Sequence, residues 1–296
     1  MDNFVSVEEI ILKCEAIIGN IKKNGLYRYD PVDFRSMEFI SRQGFANSLL
    51  RKGVLALELF APQVIRKIFE IEKSLHSTTY YHLGMACLES EKTGININLS
   101  RTSSQICNDF ISEYVLKEGE NVYWQYPYSN DFYYSPENEP TIFTMPMHGL
   151  ARLNTLLLLT GIHNNNQAFI EIAVNSIETT LKQHTLTEYM DGAMSISYYC
   201  NSDDVTLNVC SEFACWLSLV PKNMQTQQMV DIINGIVKLM INEQQDDGSW
   251  LYFGSMHHEK WGGKRTVDCH HTATNLTTLL TILENSDVLN PEVKDK

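Results

Sequence analysis

The stretch from Met224 to Asn242, which reads MQTQQMVDIINGIVKLMIN, decides the fold class. Its apolar residues recur three or four positions apart and share one helical face: Val230, Ile233, Val237, Met240 and Ile241. Alternation with a period of two, which is typical of a half-buried strand, is almost absent from the chain. The sequence therefore predicts an all-α fold.

Helix start and stop signals divide the rest of the chain in the same way. Ser6 followed by Glu9 forms a capping box, and Gly94, Gly119 and Gly161 each follow a predicted helix. The helices predicted after residue 76 are 77–94, 100–118, 141–160, 166–182, 205–219, 224–242 and 272–283.

The connections between these helices alternate in length. Residues 119–140, 183–204 and 243–267 form long connections, whereas residues 161–165 and 221–223 form short ones. In a string of antiparallel helices every second connection lies at the same end. The three long connections are therefore expected to meet at one end, and long loops in compact domains usually carry function.

Composition excludes several classes of protein. The net charge of −13 and the pI near 5.1 disfavour a nucleic-acid partner. Neither a signal peptide nor an apolar run of the ~20 residues that a transmembrane helix needs is visible. Seven scattered cysteines suit buried thiols in a reducing compartment, so a cytoplasmic location is expected.

The domain organisation is predicted to be simple. Because no linker-like stretch or charge block divides the chain, we expect one domain over residues 1–285 and a frayed tail over residues 286–296.

Two motifs carry a resemblance to a known superfamily. The segment Gln244–Trp250 fits the pattern Q-x3-G-x-W (the QW motif), and Asp268–Thr272 fits D-x-x-H-T. Both resemble segments of the terpenoid-cyclase and protein-prenyltransferase superfamily, whose fold is an α/α toroid of antiparallel helix pairs. The chain is most similar to uncharacterised bacterial toroid proteins of capsule and exopolysaccharide loci, over about residues 25–285. The resemblance implies the toroid fold, but this fold hosts several activities.

Aromatic residues are the first candidates for substrate binding. Trp124, Tyr126 and Tyr128 lie in a loop with seven aromatic residues between 123 and 134, and Trp250 and Tyr252 lie in the third long connection. Such rings suit stacking on sugars or enclosing a polyprenyl chain. Packing of the loop onto the domain is the alternative, and the two interpretations can coexist.

The resemblance also implies a candidate zinc site. Zinc prenyltransferases of this fold use an Asp and a Cys two positions apart together with a His, and the matching residues are Asn208, Cys210 and His271. An amide at position 208 is a poor zinc ligand. The alternative is a buried Cys210 and a hydrogen-bonded His271.

Acid–base candidates gather before two of the predicted helices. Asp204 lies in a segment that imperfectly resembles the D-x-D-D-T-A acid motif of cyclases, or it caps a helix. Asp268, His270 and His271 could form acid–base pairs with Tyr199 and Tyr252. Arg265 belongs to a local basic cluster that suits an anionic group, or it is solvated. The catalytic candidates are thus Asp268, His270, His271, Asp204 and Tyr199.

Three functions remain open from the sequence. The first is an enzyme of the lyase, isomerase or transferase type that acts on an anionic glycan or a lipid-linked sugar in polysaccharide biosynthesis. The second is a terpenoid cyclase or a zinc-dependent prenyltransferase-like enzyme with a polyprenyl substrate. The third is a non-catalytic binding toroid. No oligomeric state is indicated.

Overall fold

A computed structural model describes residues 76–95, 101–125, 145–200, 202–255 and 269–294, with residue 267 and seven isolated positions before residue 76. The chain forms two compact units, one of residues 1–106 and 126–143 and the other of residues 107–125 and 144–296. Within the described segments, the chain offers no helix with the length and apolar character that a bilayer span requires.

Helices dominate the described part of the chain, as predicted. They are α1 (Ser77–Thr93), α2 (Ser103–Tyr114), α3 (Met147–Asn164), α4 (Gln167–Gln183), α5 (Leu207–Ser218), α6 (Gln227–Glu243), α7 (Cys269–Glu284) and α8 (Pro291–Lys294). Two antiparallel hairpins interrupt them, formed by β1 (Val115–Glu118) with β2 (Asn121–Trp124) and by β3 (Leu186–Glu188) with β4 (Met194–Ile196).

In the first unit, α1 buries Tyr80, Leu83 and Leu88 and ends at Gly94, whose φ of 70° is left-handed. The carboxylate of Glu91 accepts hydrogen bonds from the backbone N–H and the hydroxyl of Ser103, both at 2.6 Å. Because these bonds satisfy an N–H of the first turn of α2, they fix where α2 begins.

In the second unit, α5 is the central element. All of its residues are buried, and it packs against α3, α6 and α7, while α4 packs on α3. The first residues of α3, α5 and α7 lie near one another, since the chain segments preceding them share hydrogen bonds and β-bridges. The helices α3, α5 and α7 therefore form a parallel row, backed by α4 and α6.

The end of α2 differs from the prediction. The helix predicted over 100–118 ends at Tyr114, and the next residues pair in register, Val115 with Trp124 and Glu118 with Asn121. Gly119 has a φ of 65° and lies in the hairpin turn rather than behind a helix. Val122 and Trp124 are buried, so the hairpin is held by the core on one face.

The limits of α3 also differ. It begins at Met147 after Pro146 and continues through Gly161 to Asn164, where Asn165 takes the left-handed cap with a φ of 52°. A Cβ at Gly161 would lie 2.8 Å from Cγ1 of Ile170. This glycine therefore permits the close approach of α3 and α4 and does not stop the helix.

The C-terminal tail is partly anchored. Asn234 Nδ2 donates to the carbonyl of Val288 at 2.8 Å, and the N–H of Asn290 donates to Asn234 Oδ1 at 2.7 Å. Val288 and Leu289 are buried. Asn234 of α6 thus holds the segment from Val288 to Asn290, and the frayed tail over residues 286–296 and the single domain over residues 1–285 stay predictions.

A buried histidine follows α4. His184 is 3% exposed, and its Nδ1 lies 3.1 Å from the carbonyl oxygen of Ser197. Burial lowers the pKa of His184 to about 4, although the bond to Ser197 favours the charged form. The folded protein therefore keeps this imidazole neutral at pH values where the unfolded chain protonates it.

This difference predicts a pH-dependent stability. Between about pH 6.5 and pH 5 the unfolded chain gains a proton at His184 that the folded protein does not, so unfolding becomes easier by roughly 1.5 kcal/mol. In urea titrations at several pH values, His184→Gln should lose this slope. His163→Gln, at the exposed end of α3, should keep it. Equal slopes in all three proteins would contradict the assignment.

Candidate functional site

In the described residues, the second and third long connections lie at one end of the parallel row, over the first residues of α3 and α5. The N–H of Met147, the first residue of α3, donates to the carbonyl of Tyr198 at 3.0 Å, and that of Leu207, the first residue of α5, donates to Tyr252 at 3.3 Å. Leu251 pairs with Val267, just before α7. These contacts agree with the shared end predicted for the second and third connections, whereas residues 126–140 of the first lie outside the described residues and their place stays a prediction.

Aromatic and histidine rings lie at this end. The ring of Tyr252 is 4.5 Å from that of His271 in an edge-to-face arrangement, and His270 is 5.3 Å from His271. The ring centroids of Tyr198 and Tyr199 are 4.5 Å apart, with their planes tilted by 57°. The structure therefore brings together His270, His271 and Tyr252, three of the residues predicted as site groups, with Tyr252 and His271 partly exposed.

Other predicted groups are placed differently or lie outside the described residues. Tyr126, Tyr128, Arg265 and Asp268 lie outside, and their roles stay predictions. The backbone carbonyl of Asp204 accepts from Tyr198 at 2.6 Å, and α5 begins only at Leu207 after the N-cap residue Thr206. Asp204 is thus part of the connection and not the cap of α5, and its catalytic role stays a prediction.

Trp124 and Trp250 are both buried, at 2% and 4% exposure. Trp124 packs on Phe110, with ring centroids 5.9 Å apart. The indole N–H of Trp250 donates to the carbonyl of Met240 at 2.8 Å, which ties the connection after α6 back to that helix. These contacts correspond to the packing interpretation left open by the sequence; substrate contact by either ring stays a prediction.

The proposed zinc ligands differ in their surroundings. Cys210 is fully buried, and its Sγ donates to the carbonyl of Ile196 at 3.6 Å. Burial raises the pKa of Cys210 to about 12, so the thiol is protonated, whereas zinc binds the thiolate. In the described part of the chain, no group of three His, Cys, Asp or Glu residues lies close enough to hold a metal. Zinc binding therefore stays a prediction.

A charged cluster that sequence reasoning missed lies beside the start of α3. The carboxylate of Glu212 on α5 accepts from Arg152 Nε at 3.0 Å and lies 2.8 Å from a terminal guanidinium nitrogen of Arg152. Its other oxygen lies 2.7 Å from Nδ1 of His148. Glu212 and Arg152 are buried, but the side chain of His148 is 21% exposed.

The partners of Glu212 determine its protonation state. Burial alone would raise the pKa of Glu212, but His148 and Arg152 outweigh it and hold the pKa below its ordinary value. An ionised Glu212 can only accept, so Nδ1 of His148 carries the hydrogen and donates to it, which leaves Nε2 of the neutral imidazole as an acceptor. Among the described residues Nε2 has no hydrogen-bond partner. The pair thus has the geometry of a proton-transfer histidine oriented by a carboxylate.

A sequence signal for this cluster did exist. Glu212 is the only charged residue of α5, in a segment otherwise suited to the core. A buried charge is costly unless it is paired, so such a residue requires a cation on a neighbouring helix. His148 and Arg152 are four positions apart on the apolar helix α3 and share one face. The sequence does not say which helices are neighbours, however.

The buried pair predicts a large stability effect. Glu212→Gln removes the buried carboxylate that pairs with Arg152 and should lower the free energy of unfolding by roughly 3–5 kcal/mol in urea titrations. The matched control is Glu178→Gln, which breaks an exposed pair with Lys182 at 2.7 Å and should change the free energy of unfolding far less, because solvent screens that pair. A loss no larger than in the control would contradict the buried-pair assignment.

Comparisons with known proteins give structural likeness only. No family model matches the chain, and no curated protein matches it in sequence. Among solved structures, the chain is similar to an unsaturated glucuronyl hydrolase from Bacillus sp. GL1, responsible for the degradation of glycosaminoglycan. The TM-score is 0.50 at 12% identity, over 97% of this chain and 80% of that chain.

A second solved structure agrees with the first. A UGL variant with the oligosaccharide dGlcA-Glc-Rha-Glc matches with a TM-score of 0.51 at 12% identity, over 98% of this chain and 81% of that one. These neighbours have the α/α toroid fold. The likeness confirms the fold class predicted from the sequence: the chain is an all-α protein with an α/α toroid fold.

Proposed function

We propose that this chain is an enzyme that acts on an anionic glycan, with His148 as the group that transfers a proton. The observation that carries the proposal is the partly exposed imidazole of His148, held at 2.7 Å by the buried carboxylate of Glu212. A purely structural ion pair needs only Arg152 and Glu212. The third group, His148, is partly exposed at the end where the long connections meet. It is therefore the group suited to proton transfer.

The chemistry follows from the fixed ring. Because Glu212 holds Nδ1, the imidazole cannot turn away, and Nε2 takes a proton when the ring is neutral or gives one when it is charged. Cleavage or elimination at a uronic-acid residue requires such a transfer, either to the leaving oxygen or from the carbon beside the carboxylate. Arg152 provides a second, permanently charged partner for Glu212 in both states of the histidine.

An anionic sugar is favoured by the surroundings of His148. The N-termini of α3, α5 and α7 lie at this end, and their partial positive charges favour a carboxylate. The rings of Tyr252 and His271 form a partly exposed aromatic pair of the kind that contacts sugar faces. The activity of the similar hydrolase, which concerns glucuronyl groups, agrees with this class of substrate.

The resemblance to proteins of polysaccharide loci suggests the finer hypothesis that the glycan is a capsule, exopolysaccharide or lipid-linked precursor. The polyprenyl alternative has less support, because the uncharged amide of Asn208 stands where the zinc prenyltransferases have an aspartate ligand.

The decisive test is whether the purified protein turns over any member of a defined panel of glycan substrates. We expect the purified protein to act on unsaturated glucuronyl disaccharides, saturated uronate oligosaccharides or undecaprenyl-linked uronyl sugars. The reaction is measured by mass spectrometry of the products and by the absorbance of the conjugated double bond. His148→Gln should lower kcat about 100-fold to 10,000-fold with little change in KM, since the proton transfer is lost.

The control is His163, a second histidine of α3. His163→Gln lies at the exposed far end of α3 and should keep full activity. Absence of turnover across the panel, with folding verified by circular dichroism, would reject the proposed function. Full activity of His148→Gln would reject the role of His148 alone.

A further inference from the structure

The third long connection is fastened to the end of α6 by two hydrogen bonds to one carboxylate. Glu243, the last residue of α6, accepts from the backbone N–H of Ser255 at 2.8 Å and from the hydroxyl of Ser255 at 2.7 Å. Glu243 is 8% exposed, whereas Ser255 is exposed. Hydrogen bonds to a charged acceptor are roughly twice as strong as neutral ones. This Glu243–Ser255 clamp therefore closes residues 244–254 into a loop at the end of α6.

An ion pair does not account for the buried carboxylate of Glu243. In the described part of the chain its two oxygen atoms bond only to Ser255, and no lysine, arginine or histidine pairs with them. Burying a carboxylate is costly unless hydrogen bonds offset the lost hydration. The two donors of the clamp are thus the contacts that offset the burial of Glu243.

The chain just before the clamp lies against the start of α5. The carbonyl of Tyr252 accepts the N–H of Leu207, the first residue of α5, at 3.3 Å. A Cβ at Gly254 would lie 3.6 Å from Cδ2 of Leu207 and 3.9 Å from Cδ of Glu243. The backbone that follows Tyr252 is therefore in contact with both the clamp and α5.

The clamp also fixes one member of an aromatic pair. Tyr252 lies three residues before Ser255, and its ring centroid is 4.5 Å from that of His271 in an edge-to-face arrangement. The ring of Phe253 lies at the same distance from that of Tyr252. His271 belongs to α7, whereas Tyr252 belongs to the connection, so their contact depends on where the connection is held.

We propose that Glu243 is a positioning residue for the candidate site and that, through Ser255, it holds Tyr252 against His271. The use of this ring pair as a sugar contact rests on the proposed function. Glu243 acts through Tyr252 and not on the substrate, because it is buried and Ser255 occupies its carboxylate. Loss of the clamp should therefore raise KM and leave the proton transfer by His148, and hence kcat, unchanged.

A matched clamp joins α1 to α2 and serves as the control. Glu91 accepts from the N–H and the hydroxyl of Ser103, both at 2.6 Å, and these residues are 12 positions apart, as are Glu243 and Ser255. The Glu91 clamp fixes where α2 begins. Glu91→Ala thus removes the same two kinds of bond from a part of the chain that does not carry Tyr252.

The positioning role is tested first without a ligand. The NMR signals of the His271 ring are identified by their loss in His271→Gln, and Tyr252→Ala should shift them because the neighbouring ring is removed. Glu243→Ala should shift them in the same direction. Glu243→Gln should leave them in place, since its amide can accept the N–H of Ser255 and donate to the hydroxyl oxygen. Glu91→Ala should also leave them in place.

Signals of His271 that move in Tyr252→Ala but not in Glu243→Ala would overturn the proposal. If Glu243→Ala does not fold, Ser255→Ala takes its place, because position 255 is exposed and only the hydroxyl bond is lost. It should shift the same signals by a smaller amount. No shift in folded Ser255→Ala would count against the proposal in the same way.

Calorimetric titration with a saturated glucuronyl–glucose disaccharide tests the effect on binding. Tyr252→Ala and Glu243→Ala should each weaken binding about tenfold, and the double variant should bind no more weakly than Tyr252→Ala, because Glu243 acts through Tyr252. Glu243→Gln and Glu91→Ala should bind within about twofold of wild type. Additive losses, or a Glu243→Gln variant as weak as Glu243→Ala, would overturn the proposal.

Failure of the proposed function gives a different result. If wild type neither binds nor turns over any glycan, the proposed function is rejected, and the His271 signals still decide whether Glu243 positions Tyr252. If turnover is found, Glu243→Ala should raise KM about tenfold and keep kcat within about twofold. A lower kcat at unchanged KM would contradict the positioning role alone.

Discussion

The first N–H groups of an α-helix have no hydrogen-bond partner within the helix. Where a helix starts in the protein interior, these groups need acceptors from other segments, and the site depends on this constraint. The N–H groups of Met147 and Leu207 find their acceptors in the carbonyls of Tyr198 and Tyr252. Both carbonyls belong to long connections that enter the next helix of the parallel row. Satisfying the backbone therefore fixes these connections over the helix N-termini, and it brings tyrosine residues to the end where His148 lies.

The same constraint is met twice by similar chain segments. Asp191–Gly192 and Asp247–Gly248 each form a turn in which glycine has a φ near 80° (81° and 82°) and the aspartate accepts the N–H two residues later, at 3.1 and 3.0 Å. Each turn leads within a few residues to the tyrosine that meets a helix start. Successive helix pairs thus carry successive copies of one connection, as expected where each repeat contacts its neighbours. The residues that differ between these two connections are available for binding.

Sequence predicts the parts of this structure that depend on local chemistry. Gly94 ends α1, the helical periodicity of residues 224–242 matches α6, and the alternation of connection lengths places the long connections together. Prediction from the sequence fails where the packing of distant segments determines the structure. Gly161 is required by the approach of α4 and not by a helix end, and the hairpin from Val115 depends on a core that buries Trp124. His148 and Glu212 are 64 residues apart, so their contact follows only from the order of helices in the row.

The buried charge of Glu212 on α5 restricts which residue can lie at position 208, one turn away. Glu212 is a single buried carboxylate, shared by Arg152 and His148, and its low pKa depends on both. A second carboxylate at position 208, one turn away on the same face, would repel Glu212, raise both pKa values and compete for the same cations. Asparagine avoids that cost and keeps a polar group at the position. A neutral amide at position 208 is therefore compatible with the ionised Glu212 one turn away, although the same amide is a poor zinc ligand.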